Sequence, residues 1–328
     1  MRTLTLTSIL IPLLSFFIYR NFLRMPSLST VRASNAAFSP AYTSVAIFVG
    51  GTSGIGQGMA EAFARHTKGN AHIVLVGRNR AAAESIISTF PKPTAPGVTH
   101  EFVECDITLM KNVHRVANEL RSRIPKINFL VLSPGVLTMN GRNETEEGID
   151  RKLAVHYYGR WRFIKDLLPA VEEAHKAGED AKVMTVLAAG HGGKIDLNDL
   201  GLKKTFSIAA AASTAPTYSD IMVNDLAARY PGISFIHSYP GLVATNILKT
   251  SDTRTIRVMN SIFSPLMRPF SYSVETSGEH QLYALLKAGP GAVRATDNGD
   301  DIGLTKNYYG DAESMKKLWE HTEEATAV

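Results

Sequence analysis

The seven residues Gly50-Gly51-Thr52-Ser53-Gly54-Ile55-Gly56 have the types and spacing to hold a phosphate. Glycine at 50, 54 and 56 permits a tight turn and a close anion. Backbone amides opening a following helix, with its dipole, favour negative charge. The ligand this suits is a dinucleotide's pyrophosphate, so Gly50, Thr52, Ser53, Gly54, Ile55 and Gly56 are candidate cofactor contacts. The competing reading is a turn whose glycines serve packing alone. For proton movement the candidate is His191, since an imidazole titrates near neutrality unaided. The alternative for it is a loop histidine with a structural hydrogen bond. His156 is positioned to line the same cavity from a helix.

Such a turn needs a strand before it and a helix behind it. Residues 45–49 are an apolar run of strand length, and residues 58–65 have helical spacing. The pattern then repeats. Strands are expected at 72–76, 99–104, 129–133, 182–187 and 233–237, with a last short one at 306–310. Helices are expected at 80–89, 111–123, 151–168 (ended by Pro169), 214–229 and 277–286. Apolar strands alternating with helices predict an α/β fold, a doubly wound parallel sheet of the Rossmann type, in a single domain over 44–328. Ligands of such sheets bind at the carboxyl ends of the strands. Residues 247–279 follow the sixth strand, bear Met and Phe, and are read as a lid over a bulky lipophilic ligand; the other reading is a docking patch on a membrane surface, and the two are compatible.

The second strand leads into Gly77-Arg78-Asn79-Arg80. A carboxylate there would accept from both ribose hydroxyls, whereas the Arg78 guanidinium pairs with a 2′-phosphate. This favours NADP(H) over NAD(H); the other reading is a solvated arginine. Asp106 either accepts from an adenine amino group or caps the next helix.

The chain has 328 residues, 45% hydrophobic and 20% charged, with 35 basic against 30 acidic residues. The resulting +5 is mild and dispersed, so nucleic acid is not an expected partner. Cys105 is the single cysteine, which excludes an internal disulfide and suits a reducing compartment. No zinc-like spacing of ligands occurs. Residues 4–19 are almost wholly apolar, with Arg2 before them and Arg20 and Arg24 behind. Residues 1–24 are therefore expected to form a single-pass membrane anchor, with the domain facing the cytosol at the endoplasmic reticulum; a cleaved signal peptide is the alternative. Residues 25–43, rich in Ser, Ala, Thr and Pro, read as a linker.

The glycine motif, Arg78, Asp106 and Pro240-Gly241-Leu242-Val243-Ala244-Thr245 together resemble a short-chain dehydrogenase/reductase, over about residues 44–310. Residues 191–200 resemble the retinol-dehydrogenase-like branch, and the whole is similar to divergent fungal members found among secondary-metabolite enzymes. The resemblance implies a nicotinamide cofactor, with Ser133 and Gly241 beside it, and carbonyl or alcohol chemistry. It also implies a tyrosine, a lysine one turn later, a serine and an asparagine. This chain departs at each. Ala188 stands in the serine position, His156 in the asparagine position, and Ser133-Pro134-Gly135 where Asn-Ala-Gly is usual. Tyr218 is the nearest tyrosine, but Met222 occupies its lysine position. Tyr218 also lies only 22 residues before Pro240. Counting from the resembling enzymes puts the tyrosine position at Ala212 or Ser213 and the lysine position at Pro216 or Thr217. A phenol with a pKa of about 10 needs a neighbouring cation to act near neutrality.

The expected function is an NADP(H)-dependent oxidoreductase acting on a lipophilic carbonyl, alcohol or enone, with Tyr218 and His191 as candidate catalytic residues. The alternatives are a non-redox isomerase or cyclase and a nucleotide-binding pseudoenzyme. Asp220 is expected to pair at the surface, and Tyr239 to stack near the nicotinamide or pack.

Overall fold

The computed structural model describes residues 26–258 and 270–328. The apolar run at 4–19 and part of the expected lid lie outside them. Among the described residues no helix is long and apolar enough to cross a membrane.

Seven strands form one sheet: β1 (Val45–Val49), β2 (His72–Gly77), β3 (His100–Glu104), β4 (Phe129–Leu132), β5 (Lys182–Val186), β6 (Ser234–Ser238) and β7 (Gly291–Ala295). The order is β3-β2-β1-β4-β5-β6-β7. Every pairing is parallel. The order reverses between β1 and β4, which opens the crevice that ligands of such sheets use.

The helices are α1 (Leu28–Ala36), α2 (Gly54–His66), α3 (Arg80–Ser88), α4 (Met110–Arg123), α5, α6 (Ile208–Arg229), α7 (Val274–Lys287) and α8 (Ala312–Ala325). α5 runs from Arg151–Leu153 through a π-turn, Ala154–Tyr158, into Gly159–Lys176. Strand side chains alternate between two cores. Ile47, Val49, Val74 and Val76 face the layer of α4, α5, α6 and α8, while Ala46, Phe48, Ile73 and Leu75 face α2 and α7.

Three expectations are corrected, and one helix is unanticipated. α5 passes through Pro169, which is exposed; the carbonyl it frees one turn earlier belongs to Lys165, also on the exposed face. The last strand is β7, not 306–310; Gly291-Ala292-Val293-Arg294-Ala295 is too small and too polar to announce itself. α8 had no counterpart in the sequence reading. Residues 25–43 carry α1, docked by Asn35 and Arg32 onto Glu279 of α7.

Candidate active site

The chain leaves β1 in a sharp turn. Gly50 (φ +84°) and Gly54 (φ +59°) are left-handed, which a side chain would resist. The Gly50 amide donates to the Val76 carbonyl at 2.8 Å. A Cβ on Gly56 would fall 2.2 Å from Ser133 Oγ. Ser53, ahead of α2, is extended and makes no side-chain bond to the first turn. By contrast Ser27, Asn79, Asp150, Ser207, Ser273 and Asp311 each cap a helix with a side-chain oxygen. The opening amides of α4, at Met110 and Lys111, are taken by the Glu147 carboxylate at 2.6 and 2.9 Å. The first-turn amides of α2 therefore lack the side-chain acceptor those helices have. A Cβ at Gly50, Gly51 or Gly56 would strike Pro134, Phe48 or Ser133, so only glycines close this turn; with the first-turn amides of α2 left without a side-chain acceptor, the residues present fit a dinucleotide's pyrophosphate.

Arg78 follows β2, is exposed, and bonds no other described side chain. Asp106 follows β3 and accepts from the Thr108 amide at 3.0 Å. α4 starts later, with Leu109 in the capping position, so the helix-cap reading of Asp106 falls away. Ser133 follows β4, and Gly241 (φ +72°) follows β6. The cofactor candidates thus converge on one edge of the sheet, beyond β1, β2, β3, β4 and β6.

The catalytic candidates divide. Tyr218, on α6, is 1% exposed, and its hydroxyl donates to the Leu200 carbonyl at 2.8 Å. Its ring meets Tyr157 edge-on at 5.0 Å. Burial drives its pKa far above the ordinary phenol value. Met222 beside it is buried, and α6 contains no lysine. At the counted positions Pro216 is buried, while Thr217 Oγ1 donates to the Gly193 carbonyl at 2.7 Å. His191 is exposed beyond β5. Its Nδ1 lies 2.9 Å from the Ala189 carbonyl, and its ring rests 4.1 Å from that of Tyr239 at 39°. His156 Nε2 accepts from the Val136 amide at 3.1 Å. Burial, with Arg160 and Lys152 nearby, pushes His156 down to about 3, so its ring stays neutral.

Two groups escaped the sequence reading. Asp220 is buried, not at the surface. It accepts from His237 Nδ1 at 2.6 Å and from Arg294 at 2.8 Å. Burial raises the Asp220 carboxyl, but these bonds outweigh it and hold it below the usual value. His237 Nε2 in turn accepts from the Ala188 amide at 3.2 Å, and Asp220 Oδ2 from the Gly190 amide at 3.3 Å. The loop where a serine is usual is thus fixed from behind by a buried ion cluster. Arg160 is the second. Its guanidinium donates to Thr185 Oγ1 (2.6 Å) and to the carbonyls of Val186 (2.9 Å) and Pro134 (2.5 Å), tying the carboxyl ends of β4 and β5 together. By residue type it could not be told from its neighbour Arg162, which pairs with Asp166.

Residues 44–189 match the model of the family described as short chain dehydrogenase. Oxidoreductase AN1596 of Emericella nidulans is 34% identical, covering 91% of this chain and 97% of its own. Oxidoreductase andH of Emericella variicolor is 33% identical over 80% of this chain and 76% of its own. Among solved structures, an uncharacterised protein from Mycobacterium paratuberculosis superposes with a TM-score of 0.63 at 20% identity, covering 89% of this chain and 96% of its own. The Pseudomonas aeruginosa RhlG/NADP complex gives 0.54 at 15% identity, over 80% and 99%. The two structures establish likeness of fold.

Proposed function

Given that the chain belongs to the short-chain dehydrogenase family, as a divergent member, we propose that it is an NADP(H)-dependent oxidoreductase of a lipophilic carbonyl, alcohol or enone. The observation that carries this reading is the glycine turn whose helix amides lack a side-chain acceptor. In it, the amides of α2 hold the pyrophosphate, Arg78 takes the 2′-phosphate, and Asp106 offers its second oxygen to adenine. Ser133 and Gly241 bound the nicotinamide end. A nicotinamide, when bound, gives or takes the hydride.

The proton has to come from this chain or from water. Tyr218 would first have to leave its bond to Leu200, so His191, exposed and stacked on Tyr239, is the group we assign to it. The lipophilic substrate is inferred from Leu137, Met139, Leu242 and Ile247, exposed apolar side chains on loops beyond β4 and β6. Residues 1–24 anchor the domain to a membrane, cytosolic side, and the resemblance to divergent fungal members supports a role in secondary metabolism. A non-redox isomerase or cyclase, or a nucleotide-binding pseudoenzyme, is the second reading, favoured by Ala188 and by the absence of a lysine in α6.

The test is NADPH oxidation with a panel of lipophilic ketones, aldehydes and enones. Substrate-dependent loss of NADPH supports the first reading. Product without cofactor turnover, or nucleotide-dependent melting without any product, moves the assignment to the second.

A further inference from the structure

Three helices fix where the chain enters the domain. α2 opens at the glycine turn, at the carboxyl ends of the strands. α7 runs parallel to it: Gly58 touches Val274, and Arg65 and His66 reach Glu279. α1 runs parallel to α7, since Arg32 pairs with Glu275 at 2.5 Å and Asn35 with Glu279 at 2.8 Å. Both helices begin within a turn of the Arg32–Glu275 pair, so the start of α1 lies level with the start of α7. The N-terminal segment therefore joins the domain at the cofactor end.

That end carries an apolar rim. Phe270 is 70% exposed, Met139 56% and Val258 54%, with Leu242, Leu137 and Ile247 beside them. Hydrogen bonds join their loops into one surface. The Met139 amide donates to Thr253 Oγ1 at 2.9 Å, Asn140 bonds Asp252 at 2.9 Å, and the Tyr272 amide donates to the Leu242 carbonyl at 2.8 Å. Lys249 and Arg254 on the same surface are exposed and unpaired among the described residues. Exposed apolar side chains among unpaired cations suit an anionic bilayer surface.

We propose that this rim docks on a lipid bilayer, so that the mouth of the site opens against lipid and the substrate arrives from the membrane. The proposal rests on the reading of residues 1–24 as an anchor. If the anchor ends near Leu23, four residues reach Ser27, at most about 14 Å of extended chain. A tether that short holds the rim against the headgroups.

The test uses the full chain in vesicles of phosphatidylcholine and phosphatidylserine. An environment-sensitive fluorophore is placed at Phe270→Cys, Met139→Cys or, at the far end of α5, Lys176→Cys; buried Cys105 stays unlabelled. The expected result is a blue shift at 270 and 139, with loss of emission to nitroxide lipids that quench about 5–10 Å below the headgroups, and neither effect at 176. Chain that floats with vesicles but shows solvent-like emission at 270 and 139 overturns the docking and leaves the anchor standing. Chain that stays in the supernatant overturns the anchor and the docking with it.

Discussion

The hydroxyl of Tyr218 donates to the carbonyl oxygen of Leu200 at 2.8 Å. This one bond turns the candidate phenol into the core and away from the crevice that the glycine turn opens. Tyr218→Phe should therefore cost stability rather than chemistry: about 0.5–1.5 kcal/mol in urea unfolding, with kcat/KM unchanged. Met222→Lys should not create activity, because the phenol beside it remains committed to Leu200. A large gain in turnover from Met222→Lys would show that Tyr218 reaches the reacting atoms.

His191→Ala removes an exposed side chain and should leave thermal melting as it is. If His191 carries the proton, kcat should fall roughly 10²- to 10⁴-fold with NADPH affinity retained. Unchanged turnover would pass the role to water.

Arg78→Ala should weaken NADPH roughly ten- to a hundredfold, the worth of a charge-assisted bond to phosphate, and leave NADH unaffected. Equal losses for both nucleotides in a titration would remove Arg78 from the 2′-phosphate.

Asp220→Ala leaves Arg294 and His237 buried without their carboxylate. The expected cost is about 3–5 kcal/mol, read by chemical denaturation, with the 188–190 loop loosened in hydrogen exchange. Asp220→Asn should cost less, since it keeps the shape and one acceptor.

Glu279 stakes α1 to the domain. Burial raises its carboxyl, but bonds from His66, Asn35 and Arg65 prevail and bring it from 4.5 down to about 2. A carboxylate depressed on folding stabilises above its unfolded value and loses that contribution as pH falls through its folded one. Stability should thus drop between about pH 4.5 and pH 2, by about 3 kcal/mol for this group. Glu279→Gln should be weaker at pH 7 and flatter through that range.

The first six strands were legible because most are short apolar runs between glycine and helix signals, as at Val45–Val49 before Gly50. The glycine turn was legible as well, because backbone geometry, not side-chain partnership, defines it. What stayed hidden depends on contacts between distant segments. Asp220, His237 and Arg294 lie on α6, β6 and β7, and nothing local distinguishes the first from a solvated aspartate. Arg160 sits in a helix beside Arg162, and only the ends of β4 and β5 decide which bonds the strand carbonyls. α1 was missed because Ser, Thr, Val and Asn are indifferent helix formers in so short a segment until Glu279 and the Phe63–Phe129 cluster receive Asn35 and Phe38.

NADPH binding, read as energy transfer from protein fluorescence to the reduced nicotinamide, tests the account most directly. Wild-type chain should show saturable transfer, displaced by NADP. Gly56→Ala, verified as folded by circular dichroism, should lose it, because the added methyl meets Ser133 Oγ where the turn must stay open. Folded wild-type protein that binds neither NADPH nor NADH would contradict the account, whatever else the crevice holds.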